Sequence, residues 1–191
     1  MKEAHGNHHH DPHHNHAEEH PEGERKTYTI AALLDNEAGV LSQFVHLFSR
    51  KGYNIETIAV GWTENKRVSR ITIEVIADES HITLLCNQLR KLIPIHSVKL
   101  LDPDRCIRRE LVLIKISAAD RTTRNEVIQI ANIFRGAIID ITPTTITLSV
   151  IGDENKTAAF EELLREFKII ELVRTGIAAI ERGTNTIRSE D

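Results

Sequence analysis

Two tandem βαββαβ units, an α+β architecture of the ferredoxin-like kind, are predicted by three observations. Strand-like apolar runs alternate with helical apolar stripes in the order βαββαβ between Thr27 and Leu101. The same order returns between Glu110 and Glu181, so the chain repeats one supersecondary pattern. The first helix of each unit also ends alike, running from Phe48 to Gly52 in one and from Phe134 to Gly136 in the other. A chain of 191 residues has room for two small domains.

The elements follow in order. "TYTIAALL" reads as a strand buried on both faces near its end. Val40, Leu41, Phe44, Val45, Leu47 and Phe48 fall on helical spacing and leave Gln43, His46 and Arg50 outside, with Gly52 placed for a left-handed cap. "NIETIAVGW" and "RITIEVI" are hairpin strands around the polar loop "TENKRVS". A second helix carries Ile82, Leu85, Leu89, Leu92 and Ile93 on one face until Pro94 stops it, and "IHSVKLL" closes the unit. After polar "DPDRCIRR", "ELVLIKIS" opens the second unit. Thr123 and Glu126 have capping-box spacing ahead of an inward stripe of Val127, Ile130, Ala131 and Phe134. "GAIIDIT" and "TTITLSVI" form the second hairpin, Phe160, Leu163, Leu164 and Phe167 mark the last helix, and "IIELVRTGIAAIE" reads as one closing strand.

The boundaries that follow are a His-rich extension over 1–25, a first domain over 26–102, a linker over 103–109, a second domain over 110–183 and a tail over 184–191. "HGNHHHDPHHNH" holds seven of the eleven histidines and almost no apolar residue, so disorder is expected there. His8, His9, His10, His13, His14 and His16 would bind divalent transition metals loosely. A native metal-scavenging tail, a purification tag and a neutral extension fit that composition alike. In each unit the sheet face opposite the helices is left open, although its strands carry apolar residues there. An oligomer that covers this face or extends a sheet edge is expected.

Composition narrows the function. A net charge of -4 argues against nucleic acid, and no apolar run approaches the roughly 20 residues that span a bilayer. Cys86 and Cys106 form no CxxC pair and read as reduced thiols of a cytoplasmic protein. The phenylalanines all sit on helix stripes, which leaves no base-stacking platform on a sheet. No P-loop, GxGxxG, HExxH, GxSxG or zinc-type Cys/His spacing occurs between 26 and 183, so neither a catalytic nor a metal centre is expected in the folded domains.

What stands out is the turn "DNEAG", Asp35–Gly39, between the first strand and the first helix. The first backbone N–H groups of a helix have no intrahelical partner, and they favour an anion. Gly39 lets a ligand approach the backbone, and the Asn36 amide both donates and accepts. With no lysine following, one carboxylate fits better than a polyphosphate. Two readings stay open on the residues alone: an ordinary capped turn, or a seat for a zwitterion. The equivalent "SAADRTTRNEV" of the second unit has no glycine.

"LLDNEAGVLSQFVHLFSRKGYNIETI", together with "SRITIEV", "RRELVLIKI", "NIFRGAIIDITP" and "RTGIAAIERG", closely resembles the small regulatory subunit of acetolactate synthase (acetohydroxyacid synthase) from Lys26 to about Gly183. The resemblance implies an N-terminal ACT domain, a C-terminal ACT-like domain and a non-catalytic role. It implies a homodimer through paired ACT domains, with valine or a related branched-chain amino acid bound between subunits. The matching effector positions are Asn36, Gly39, Val40, Leu41 and Ser42 on one chain, and Asn54 and Ile55 on its partner. The implied partner is the large catalytic subunit, which carries thiamine diphosphate, magnesium and FAD, while this chain holds no cofactor.

Overall fold

A computed structural model describes residues 24–188. The His-rich stretch, with its disorder and metal readings, and residues 189–191 lie outside the described residues.

The first unit runs β1 (Lys26–Asp35), α1 (Val40–Arg50), β2 (Ile55–Trp62), β3 (Val68–Ala77), α2 (Glu79–Leu89) and β4 (Ile95–Leu101). Its antiparallel sheet has the order β2-β3-β1-β4. The second runs β5 (Cys106–Ser117), α3 (Arg121–Ile133), β6 (Ala137–Ile141), β7 (Thr145–Gly152), α4 (Glu154–Leu164) and β8 (Ile169–Arg174), in the equivalent order β6-β7-β5-β8. Even the irregularities correspond. Register shifts fall at Leu33/Leu34 and Ile55/Thr57 in one sheet, and at Lys115/Ile116 and Ile138/Asp140 in the other.

Strand alternation explains both cores. Ile30, Ala32 and Leu34 of β1 and Ile71, Ile73 and Val75 of β3 face α1 and α2, where Phe44, Phe48, Ile82, Leu85 and Leu89 meet them. Val112, Ile114 and Ile116 with Ile146, Leu148 and Val150 do the same against Val127, Ala131, Phe160 and Leu164. Phe134 and Phe167 pack at the margin of that second core.

Several sequence expectations need correction. Ile93 is 98% exposed rather than inward, because α2 ends at Leu89 and the turn before Pro94 swings its side chain out. Helix α3 starts a turn earlier than Thr123: Asp120 caps it, accepting the Thr123 N–H at 2.8 Å. Leu163 is exposed beside buried Leu164, since the inward face of α4 runs through Thr157, Phe160 and Leu164. At the end of α1, Gly52 has φ +73 and the Tyr53 N–H reaches back to the Phe48 carbonyl, as a left-handed cap requires. In the second unit Arg135 takes that conformation (φ 53). Gly136 serves a different need, because a Cβ there would lie 2.9 Å from the Ser149 carbonyl oxygen.

The closing strand is broken. Gly176, at φ +75, separates β8 from β9 (Ala178–Glu181), and β9 pairs with Cys106–Arg109 of β5. The polar stretch after β4 is therefore a short 3-10 turn, Pro103–Arg105, followed by the first third of a twelve-residue strand.

That ribbon covers the open face of the first sheet. Ala31, Leu33 and Leu101 bury against Cys106, Ala179 and Ile187 to make a third core between the domains. Gly176 lies so close to β2 that a Cβ would stand 2.8 Å from the Ile58 carbonyl oxygen. The first domain's open face, expected to be covered by another chain, is thus covered by this one. Polar ties seal the joint: the Arg70 guanidinium donates to the Ala179 carbonyl at 2.7 Å and the Ser97 hydroxyl to the Ile187 carbonyl at 2.5 Å. Arg188 pairs with Glu64 at 2.7 Å, and Lys99 with Glu181 at 3.4 Å.

Candidate functional site

Strand β1 delivers the chain to Asp35 and the turn is then pinned from two sides. The Asp35 N–H donates to the Pro94 carbonyl at 2.9 Å, and the Asn36 N–H to the Arg67 carbonyl at 2.8 Å. His96 Nε2 meets Asp35 Oδ1 at 2.8 Å. The Asn36 side chain donates from Nδ2 to the Lys66 carbonyl at 2.8 Å. This bond fixes the amide against the β2–β3 loop and leaves Oδ1 as the free acceptor among the described residues.

Gly39 occupies the N-cap of α1 with φ 87 and ψ -18, and no side chain accepts from the first turn. The other three helices differ. Asp78, Asp120 and Asp153 cap α2, α3 and α4, each accepting a backbone N–H from His81, Thr123 or Lys156. At α1 the Val40 N–H makes a long 3.3 Å contact with the Glu37 carbonyl, and the Gln43 N–H reaches Gly39 at 3.0 Å. The N–H groups of Leu41 and Ser42 have no acceptor among the described residues. Such donors, at the positive end of an eleven-residue helix, suit one carboxylate.

Beside them the outer face of α1 carries a shallow depression of about 360 Å³, lined by Leu41, Ser42, Val45, His46 and Ser49. Leu41 is 40% exposed, so an apolar surface stands next to the open amides, whereas Val40 turns inward to the core. Room exists at the backbone too, since nothing lies within 4 Å of a Cβ built on Gly39.

Asn54 and Ile55 lie beyond the other end of α1, at the start of edge strand β2. Eleven helical residues span about 16 Å, so one chain does not bring them to the Gly39 turn. The Asn54 amide donates to Glu56 at 2.7 Å, and Ile55 is half-buried against the first core. Glu56 itself is exposed, so that amide is open to exchange with an incoming acceptor.

Among the described residues no group of three or more His, Cys, Asp and Glu side chains could hold a metal. His46 is exposed, His81 pairs with Asp78 at 2.5 Å and His96 with Asp35. Burial pushes the thiols of Cys86 and Cys106 above their ordinary range, which keeps them protonated and unreactive. No helix of the described residues is long and apolar enough to cross a membrane.

Sequence reasoning missed the polar joint between the domains, above all Glu74 and Arg108. The signal for Glu74 was a lone carboxylate in the middle of "RITIEVI", a run otherwise typical of a buried strand.

The comparisons agree along the chain. A family described as "AHAS small subunit-like ACT domain" matches residues 30–97, and one described as "Small subunit of acetolactate synthase" matches residues 109–183. The "Probable acetolactate synthase small subunit" of Methanothermobacter thermautotrophicus is 43% identical over 166 residues, covering 87% of this chain and 99% of that protein. The "Acetolactate synthase small subunit" of Aquifex aeolicus is 43% identical over 160 residues, 84% of this chain and 83% of the relative. A crystal structure of the acetolactate synthase small subunit from Thermotoga maritima superposes with a TM-score of 0.78 at 33% identity, over 84% of this chain and 99% of that one.

Proposed function

Since the chain belongs to the acetolactate synthase small-subunit family, we propose that it is the non-catalytic regulator of that enzyme and senses valine or a related branched-chain amino acid at the Gly39 turn. It binds the large catalytic subunit, raises its activity and transmits inhibition by the end product. In this reading thiamine diphosphate, magnesium and FAD all reside on the large subunit, and the complex works in the cytoplasm.

One observation carries the reading: three helices are closed by aspartate caps, while α1 alone among the described helices is opened by a glycine with its donors unused. Asn36 Oδ1 supplies an acceptor for the ligand's ammonium, the Leu41 and Ser42 amides take its carboxylate, and Leu41 offers apolar surface to its side chain. Pairing two chains about a two-fold axis across α1 sets the start of one α1 beside the end of the other. That arrangement brings the partner's Asn54 and Ile55 to the Gly39 turn and uses the open edge of β2, where Ile58, Val60 and Trp62 are exposed. Ligand bound across the pair then favours one packing of it, a population shift to which the catalytic subunit responds.

The test mixes purified chain with the large subunit and titrates valine. Acetolactate output should rise on mixing and fall with valine, while calorimetry on the small subunit alone records binding at one ligand per ACT interface or two. Unchanged output on mixing would remove the regulatory reading. Silent calorimetry with valine, leucine and isoleucine would remove the effector site.

A further inference from the structure

Glu74 lies in the middle of β3 on the face that the second domain covers, and it is 3% exposed. Both of its oxygens are engaged. Oε1 accepts the Thr29 hydroxyl at 3.2 Å and the Arg108 guanidinium, and Oε2 accepts the Thr57 hydroxyl at 3.3 Å. One buried carboxylate therefore ties β1, β2 and β3 of the first domain to β5 of the second. A charge held this deep depends on its cation, because an unpaired buried carboxylate is strongly disfavoured.

Arg108 has a second carboxylate in reach. Its Nη2 stands 3.8 Å from Glu154 Oε2, on the first residue of α4, and that glutamate side chain is 67% exposed. A cavity of about 240 Å³, lined by Arg108, Arg109, Asp153, Glu154 and Arg182 among others, adjoins this second partner. Arg108 Nε is buried and has no hydrogen-bond acceptor. One guanidinium nitrogen thus stands within ion-pair range of two carboxylates, one buried and one exposed, with an unused Nε donor and a cavity beside the exposed one.

We propose that Arg108 is a coupling switch: paired with Glu74 it latches the second domain onto the ACT sheet, and paired with Glu154 it lets the two domains loosen. This rests on the effector reading above, which it extends to the route by which the signal leaves the site. The connection runs through β2. Thr57, which holds Glu74 Oε2, is two residues from Ile55, at the register shift beside the partner's half of the amino-acid clamp. A ligand gripping Asn54 and Ile55 acts on that bulge, and the bulge acts on the latch.

Two variants separate the states. Glu74→Gln removes the charge that holds Arg108 in the latched state, and Glu154→Gln the charge that draws it to the released one. Hydrogen–deuterium exchange on the full ligand-free chain reads the latch through the amides of 106–109 and 178–181: faster in Glu74→Gln, slower in Glu154→Gln. Valine titration of the complex with the large subunit reads the coupling. The half-inhibiting concentration should move in opposite directions in the two variants, by about fivefold or more. Should Glu74→Gln fail to fold, Glu154→Gln, at an exposed position, decides alone by slower exchange and a shifted titration. Exchange unchanged or moved the same way by both variants overturns the latch, and shifted exchange with unshifted titrations overturns the coupling. A wild-type complex indifferent to valine, with the exchange shifts intact, would sink the effector site and leave the latch standing.

Discussion

Gly39 holds φ 87 with open space where a side chain would go, so its substitution cost is conformational rather than steric. Gly39→Ala should cost about 1–2 kcal/mol of stability, the penalty of a left-handed L-residue, and keep most of the proposed valine response. Gly39→Asp should fold comparably but lose the response, because its carboxylate competes for the Leu41 and Ser42 amides that the proposed ligand's carboxylate would take. Denaturant melts paired with valine calorimetry on both variants check this, and equal affinities in the two would refute the assignment. The special place of this glycine in the backbone was legible in the sequence, because "DNEAG" puts it between a strand and a helix. Asn36 was half legible. Its position in the turn was readable, but the commitment of Nδ2 to Lys66 comes from a loop thirty residues away.

At the scale of elements, the four helices divide by how they begin. Asp78 and Asp120 donate no proton to their helices but accept backbone N–H bonds, from His81 and Thr123 respectively. Those bonds, the largest cause in each case, hold both carboxyls below the usual carboxylate range. A depressed folded pKa contributes stability above the unfolded value, near about pH 4, and the contribution is lost as pH falls through the folded value. Asp78→Asn should therefore flatten the acid limb of the stability curve below about pH 4, seen as a smaller change in urea midpoint. Helix α1 has no capping carboxylate. Caps were partly legible: Thr123 with Glu126 suggested a capping box, while the true cap, Asp120, sits one turn earlier. Local spacing admits both starts, and the Asp120 carboxylate, which accepts the Thr123 N–H, marks the one the chain takes.

On the scale of the whole molecule, the main event is the docking of the second domain on the first sheet. Ile187 reaches from beyond β9 into the third core, at 7% exposure, beside Leu33 and Ala31. Ile187→Ala should cost about 2–3 kcal/mol, near the lower end for a buried isoleucine truncation, because the neighbouring groove gives the site some room to relax. Equilibrium urea unfolding measures it, and a loss under about 0.5 kcal/mol would show that the joint does not depend on that side chain. With the first domain's open face taken up by its own chain, its free edges and the outer surface of α1 are what remain for another copy. Apolar residues on both faces of these strands predict a second chain that covers the open face or extends a sheet edge. Nothing local distinguishes a cover supplied by residues 106–109 and 178–187 from one supplied by a neighbour.

Sequence alone determined the two βαββαβ units, the main inward residues of each helix (though not Leu41, Ile93 or Leu163) and the glycine turn, because each is written in spacings of two to four residues that backbone geometry imposes locally. Tertiary structure decided the break at Gly176, the burial of Glu74 and its choice of Arg108, and the cover that β9 and Ile187 lay over the first sheet. These depend on which distant surfaces meet. A contact such as Glu74 with Arg108 joins residues thirty-four positions apart through desolvation and charge, and neither leaves a periodic trace in the chain.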